Sequence, residues 1–333
     1  MRYLQLIAAS LILLSSSCGN NNKTEIIQKE RDRKVDVSDK IVDIESDYVF
    51  GKSDLHIIDN ILIAEESYPK DEKADHLFDL NTFRYITSTG VLGRGPGEIT
   101  IPSGLLVDRE KRAFWQLDVG KKVLHKFPLD SVLSDELYLP GTSVKLVDTL
   151  LLVYYCFLND SIAIGKAIEP FTGSPFVTMA MTKFNINTGE IMRFGYENPN
   201  VKGKFTNSYF DLSVDNGIYV NCYLLKDLVT ICDLNGNLKN NIYGPGWDEP
   251  EKDDNGYYYD VVIYNKKIFA SYLGSRGSVV EGNTERGVYP SSIIIFDLDG
   301  SYKKTIETGS EICSFCIDEK NNRIIAYFND REE

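Results

Sequence analysis

The sequence predicts an all-β chain folded as a six-bladed β-propeller, and three observations carry that prediction. The stretch Ile293-Ile294-Ile295-Phe296-Asp297-Leu298-Asp299-Gly300-Ser301 has four looser copies upstream. They are Leu77-Phe78-Asp79-Leu80-Asn81-Thr82, Lys126-Phe127-Pro128-Leu129-Asp130-Ser131, Lys183-Phe184-Asn185-Ile186-Asn187-Thr188-Gly189 and Ile231-Cys232-Asp233-Leu234-Asn235-Gly236. Each is an alternating apolar run entering a turn. Alternation buries one face of a strand, and Asn-Gly or Asp-Gly supplies the positive φ of a tight hairpin. The copies start roughly 50 to 60 residues apart, the period of a propeller blade with inserted loops. Finally, 20 Tyr and 16 Phe suit strands better than helices.

Composition bounds the function classes. At 333 residues the chain is long enough for two average domains, yet all-β folds commonly run this long as one. An apolar content of 43% excludes a wholly disordered chain. The formal charge of −13 argues against a nucleic-acid partner, which calls for a basic face, and serves solubility.

The first residues read as a targeting segment. Arg2 precedes an apolar run, Leu4 to Leu14, too short to span a bilayer as a stable helix, and Ser15, Ser16 and Ser17 lead into Cys18-Gly19. This resembles a bacterial lipoprotein signal cleaved before Cys18, with Ser15 standing where such signals usually carry Leu. The resemblance implies acyl chains on Cys18, each buried methylene contributing roughly 0.8 kcal/mol of anchoring. The other reading is an ordinary cleaved signal peptide with a chance cysteine. Residues 1–17 are thus expected as signal peptide, 18–34 as lipidated cysteine and flexible tether, and 35–333 as propeller. The expected location is the cell envelope at the outer membrane, on its periplasmic face or the cell surface. Asn20-Asn21-Asn22-Lys23 is not the acidic run that marks some surface-exported lipoproteins.

The units follow in order. Short apolar pieces at Ile41 to Ile44 and Tyr48 to Phe50 precede the first unit, whose opening hairpin is Leu55 to Ile58 with Asn60 to Ala64. The second unit reads Gly104 to Val107, Ala113 to Leu117, Val123 to Phe127 and Glu136 to Leu139. The third reads Val144 to Val147, Leu150 to Phe157, Val177 to Phe184 and Glu190 to Phe194, with a short strand allowed inside Asn159 to Pro175. The fourth is Tyr209 to Val214, Gly217 to Tyr223, Leu228 to Asp233 and Leu238 to Tyr243. The fifth is Tyr258 to Tyr264, Lys267 to Tyr272, Ser292 to Asp297 and Tyr302 to Glu307. Glu311 to Ile317 and Arg323 to Phe328 open a sixth, which the strands of Ile41 to Phe50 are expected to complete, closing the ring. No helix is expected beyond the signal segment.

Gly93-Arg94-Gly95-Pro96-Gly97-Glu98, followed by Pro102, Leu105-Leu106-Val107-Asp108 and Leu117-Asp118, resembles a known pattern. It is the Gly-x-Gly-Pro-Gly-Glu…Pro…Val-Asp…Asp signature of TolB-like and NHL-like six-bladed β-propeller lipoproteins common in Bacteroidota. Trp115 also fits, while Ile99 departs from the Phe frequent there. The resemblance implies the propeller fold and the envelope, and brings no established enzymatic activity.

Candidate contacts come from loops expected on one rim of the channel, because long loops on a rigid scaffold carry most ligand contacts. These are the blade junctions at 93–98 and 244–249 and the loop Leu273 to Ser291. Arg94, Glu98, Trp247, Arg276 and Arg286 are therefore the candidate ligand-binding residues, for a small molecule, a glycan, a peptide or an envelope protein. Glu98 and Arg94 equally suit a structural role, tying the tight glycine-rich crossing to its neighbours. No cofactor is expected. His56, His76 and His125 stand in unrelated contexts, Cys313 and Cys316 lack a second pair, and no Gly-x-Ser-x-Gly elbow is present. The mature thiols Cys156, Cys222, Cys232, Cys313 and Cys316 are odd in number, so at least one is unpaired.

Three functions fit these features. A non-enzymatic binding scaffold explains the anchor and the rim loops. A propeller hydrolase of the lactonase or glycan-cleaving type needs channel carboxylates with a divalent cation, for which Asp108, Asp118 and Asp215 are the first candidates. A structural assembly partner predicts a broad apolar patch.

Overall fold

The structure, a computed structural model, describes residues 24–66, 68–147, 150–169, 178–202, 204, 207–248, 255–282 and 284–331. Five four-stranded antiparallel blades follow one another along the chain. Blade 1 is Ser53–Ile58, Ile61–Glu66, Lys73–Asp79 and Tyr85–Val91. Blade 2 is Pro102–Asp108, Ala113–Asp118, Val123–Pro128 and Thr142–Lys145; blade 3 is Leu151–Phe157, Ile162–Glu169, Thr178–Asn185 and Ile191–Arg193. Blade 4 is Ser208–Ser213, Ile218–Tyr223, Leu228–Asp233 and Leu238–Tyr243. Blade 5 is Asn255–Tyr264, Lys267–Arg276, Ser292–Asp297 and Tyr302–Glu307.

A two-stranded sheet, Ile312–Asp318 with Arg323–Phe328, follows blade 5. The first strand of each unit touches the first strand of the next, and Ile312–Asp318 meets both Asn255–Tyr264 and Ser53–Ile58. The inner strands therefore form a closed ring around one channel, with five full blades where the sequence predicted six.

The expected closure by strands from Ile41 to Phe50 does not form, and that stretch carries no strand. Ile44, Tyr48 and Phe50 instead pack side-on against a cluster holding Leu62, Phe78, Cys316 and Ile325. Phe50 tilts on Tyr327 at 5.9 Å and Tyr48 stacks on Tyr85 at 4.4 Å, so aromatic burial joins the last sheet to blade 1 without a ladder.

Strand addition occurs earlier in the chain. Glu25–Ile27 pairs in parallel with the outer strand of blade 4, and Lys34–Asp36 with that of blade 5. From Thr24 onward, then, the stretch expected as flexible tether is docked chain. Ile26 enters the core shared by blades 4 and 5, while Lys34 pairs with Glu307 at 2.7 Å. Each edge pairing covers N–H and C=O groups that an open blade would leave bare.

The repeated stretch does what its residues predict. Asp79 Oδ1 accepts the amides of Asn81 and Thr82, Asn185 Oδ1 those of Asn187 and Thr188, and Asp233 Oδ1 those of Asn235 and Asn237. The side chain closes the turn between third and fourth strands by local capping. The second copy departs because Pro128 stands where the others carry the capping Asp79, Asn185 or Asp233. Its chain enters a helix, Leu129–Ser134, burying Leu129 and Val132. That helix displaces the outer strand of blade 2 from the expected Glu136 to Leu139 to Thr142–Lys145, overlapping Val144 to Val147, the stretch expected to open unit three. Blade 3 has its four strands because the short strand allowed inside Asn159 to Pro175 is a full second strand, Ile162–Glu169.

Candidate functional site

The ring encloses a channel of about 740 Å³ lined by all six inner strands, a volume in the range of small-molecule sites. Its wall holds tyrosines in sequence around the ring. Tyr154 of blade 3 and Tyr209 of blade 4 have ring centres 5.5 Å apart, Tyr209 stacks on Tyr259 of blade 5 at 6.4 Å, and Tyr259 meets Tyr289 edge-on at 6.1 Å. Lys52 closes this arc, donating to the Tyr289 hydroxyl at 2.8 Å. Tyr154, Tyr209 and Tyr259 meet because the inner strands that carry them, Leu151–Phe157, Ser208–Ser213 and Asn255–Tyr264, are neighbours in the ring. Tyr289 comes from the segment just before Ser292–Asp297, and Lys52 is the residue before Ser53–Ile58.

Four carboxyls also converge on the channel: Asp54, Glu65, Asp211 and Asp260. Three of them staple one unit to the next. Glu65 Oε2 accepts the Leu105 amide of blade 2 at 3.0 Å. Asp211 Oδ2 accepts Ile263 N–H of blade 5 at 2.6 Å, and Asp260 Oδ2 accepts Phe315 N–H of the last sheet at 3.0 Å. Inner strands present edge amides to the channel, and a buried amide left bare costs about 1–3 kcal/mol. A carboxyl one blade away meets that need.

Burial sets the protonation of these groups. It lifts Asp260 to about 8 and Asp211 to about 6, the backbone amides opposing the rise in both. Asp54 is raised by burial and then by the charge of Glu65. His56 Nε2 lies 3.2 Å from Glu65 Oε2, and this hydrogen bond and the Glu65 charge outweigh burial to lift the imidazole. Cys156, 3.7 Å from Asp211 Oδ1, is raised mainly by burial and is a poor nucleophile. Among the described residues no three His, Cys, Asp or Glu side chains are disposed to hold a metal ion.

None of the five candidate contacts from the sequence lines this channel. Arg94 is exposed in the blade 1–2 junction. Glu98 in the same loop accepts Gly95 N–H at 2.6 Å and packs over Gly93, the structural role its position suggested. Trp247 meets Tyr243 edge-on at 4.6 Å and packs against Val201, Tyr223 and Leu228. Arg276 lies 3.8 Å from Glu285, and Arg286 donates to both oxygens of Glu311 at 2.9 and 3.0 Å. Both arginines flank or belong to an added hairpin, Ser278–Glu281 with Thr284–Gly287.

Of the acids named for hydrolysis, Asp108 lines the channel at the end of its strand and Asp215 lines it from the turn after Ser208–Ser213, exposed. Asp118 is buried elsewhere, accepting the amides of Thr100, Ile101 and Lys121. Cys18, Glu249 and residues 170–177 lie outside the described residues. Among the described residues Cys156, Cys222, Cys232, Cys313 and Cys316 are free thiols, and Cys222 faces Val229 across the hairpin while Cys232 faces Tyr219.

Sequence reasoning missed Asp54, Glu65, Asp211 and Asp260. A signal existed for two of them: Tyr209-Phe210-Asp211-Leu212 and Tyr258-Tyr259-Asp260-Val261 each place a lone acid inside an aromatic-apolar strand opening a repeat. Such a charge has no place in a core unless a partner awaits it.

Residues 176–320 match the family model described as TolB-like 6-blade propeller-like, and the resemblance read from the sequence is borne out. A member of the DUF4221 family from Bacteroides vulgatus superposes with a TM-score of 0.54 at 10% identity, over 77% of this chain and 83% of that one. At that identity the likeness speaks to fold alone. The extracellular domain of a protein described as a one-component system, from B. thetaiotaomicron, reaches 0.49 at 10% identity over 82% of this chain and 32% of that one. A Bacteroides fragilis protein described as exported reaches 0.46 at 12% identity, over 92% and 80%. No curated protein matches the sequence.

Proposed function

We propose that this chain is a non-enzymatic binding propeller held at the cell envelope, with its ligand seated in the central channel. One observation carries the reading: a cavity of ligand size whose wall is a continuous arc of half-buried tyrosines on a rigid ring of strands. Tyrosine offers broad contact area and a polar tip at little cost in side-chain entropy. Envelope placement and the lipid anchor at Cys18 rest on the residues of the N-terminal segment. Five residues, 19–23, separate that cysteine from Thr24, whose carbonyl accepts Asn241 N–H on the rim of blade 4.

The hydrolase reading has one observation in its favour, the convergence of four carboxyls on the channel. Against it, Glu65, Asp211 and Asp260 are each engaged by a backbone amide, which suits a structural role better than proton transfer.

A thermal-shift screen of the chain from Thr24 against glycans, peptides and small polar molecules tests the binding reading. A ligand at about 100 times its dissociation constant adds roughly 2.7 kcal/mol. A hit abolished by Tyr209→Leu supports the channel. Hits that survive Tyr209→Leu but fail on Arg94→Ala or Trp247→Ala move the site to the rim.

A further inference from the structure

Charge in the channel is strongly one-sided. Its lining residues include nine carboxylate side chains and only three from Lys or Arg. Those three bases are already engaged. Lys111 Nζ reaches Asp108 at 3.6 Å and also pairs with Asp160 at 2.6 Å, Arg109 lies 3.9 Å from Glu319, and Lys52 donates to Tyr289. Acidic side chains thus outnumber Lys and Arg in the lining, though Asp260, lifted to about 8, is largely protonated near neutrality and His56 adds a further base beside Glu65.

Asp54 stands apart within this excess. It lines the cavity beside the tyrosine arc, and no hydrogen bond to its carboxylate exists among the described residues. Fully buried Glu65 likewise keeps one oxygen, Oε1, without a partner. The charges of His56 and Lys52 act on Asp54, and Tyr154 and Tyr209 lie within its electrostatic reach. A carboxylate with no hydrogen-bond donor beside aromatic faces is an arrangement that recognises an alkylammonium or guanidinium group. The rings attract the cation through their quadrupoles, and the acid supplies the counter-charge. A bare metal ion would instead need several oxygens converging on one point.

We propose that the channel binds an organic cation, an amine or guanidinium group seated between the Tyr154–Tyr209–Tyr259 wall and the Asp54 carboxylate. This rests on the reading of the channel as the ligand site, and it replaces the carboxylated ligands that an arginine-lined rim would select. Burial and then the Glu65 charge raise Asp54 while His56 and Lys52 oppose the rise, and a bound cation would lower it further.

Isothermal titration on the chain from Thr24 tests the class. The probes are a series of ammonium and guanidinium compounds from methylamine through choline and agmatine to spermidine. Beside them run 3,3-dimethylbutan-1-ol, which has choline's shape without its charge, and propionate. The expected result is saturable binding of at least one cation, with its neutral or anionic counterpart at least tenfold weaker. Asp54→Asn and Tyr209→Leu should each weaken the cation at least tenfold while the melting transition stays cooperative, and Arg94→Ala should change nothing.

Three results overturn the proposal: binding of no cation by the folded protein, equal binding of the neutral isostere, or a cation affinity indifferent to Asp54→Asn. If a neutral or anionic molecule binds and is lost on Tyr209→Leu, the channel remains the site and only the cation class fails. If ligands bind but ignore Tyr209→Leu, the channel reading itself falls.

Discussion

Asp260 Oδ2 accepts the amide of Phe315 at 3.0 Å, and with this bond blade 5 holds the first strand of the two-stranded sheet that closes the ring. The same device joins blade 4 to blade 5 through Asp211 and Ile263, and blade 1 to blade 2 through Glu65 and Leu105. Ring closure in this protein therefore depends on buried carboxyls as well as on apolar packing. Four predictions follow from the arrangement of these and neighbouring groups, and each can be measured on the chain from Thr24.

Stability should fall as pH rises toward 9. The folded-state value of Asp260, about 8, lies above the roughly 3.9 of an unfolded aspartate, so the folded chain binds the extra proton. That contribution is complete below about pH 4 and lost as pH climbs through 8. Asp211, at about 6, adds a loss over a lower window. Melting temperature followed from pH 5 to 9 should decline, and Asp260→Asn should flatten the upper part of that decline. A profile identical in the variant would refute the assignment.

Arg31 should act as the peg of the N-terminal strap. Its guanidinium meets Asp227 at 3.0 Å and the Tyr258 hydroxyl at 2.9 Å, and lies 5.0 Å from the Tyr272 ring centre. Asp227 is fully buried and also receives Tyr258, Tyr272 and the Gly246 amide. Removing one partner of a buried pair costs about 3–5 kcal/mol, and the remaining donors should hold Arg31→Ala to the lower end. Denaturant titration gives the loss. Hydrogen exchange should show residues 24–36 opening before the blades. A fragment starting at Lys34 should melt lower, for the same reason.

Gly165 should tolerate no side chain. It pairs with Tyr155 beside a break in register, and a Cβ there would press into the Tyr154 carbonyl. The obstacle is backbone, which cannot swing aside. Gly165→Ala is expected to cost about 1–3 kcal/mol in urea unfolding and to alter the near-ultraviolet circular dichroism, because Tyr154 must move. An unchanged spectrum would count against that coupling.

The five thiols should be slow to react. Burial pushes Cys156, Cys222, Cys232, Cys313 and Cys316 upward, so little thiolate exists near neutrality. A thiol reagent at pH 7.5 should label the native chain far more slowly than the unfolded one, which should give five equivalents. Rapid native labelling of any of them would show that its site opens.

Much of the architecture is legible in the residues because blade structure is local. Asp79, Asn185 and Asp233 cap their own turns, so the repeat could be seen as strand, turn and strand without knowing its neighbours. Where the local code was weak, the reading slipped. Pro128 diverts the chain into a helix, and the short strand allowed inside Asn159 to Pro175 is a full second strand, Ile162–Glu169. The five rim candidates follow from loop position, yet Arg286 and Glu98 are held by groups 25 and three residues away.

By itself the sequence determined the all-β class, the repeated blade hairpin and the acidic charge. Those properties depend on periodicity, turn chemistry and composition, all of which act within a few residues. Tertiary structure alone decided that five full blades close through a two-stranded sheet, that Arg31 straps two blades together, and that tyrosines and carboxyls from distant strands share one channel. The physical reason is one of range. An aspartate in an apolar strand is costly until a particular amide on another blade meets it, and which amide that is depends on how the ring closes.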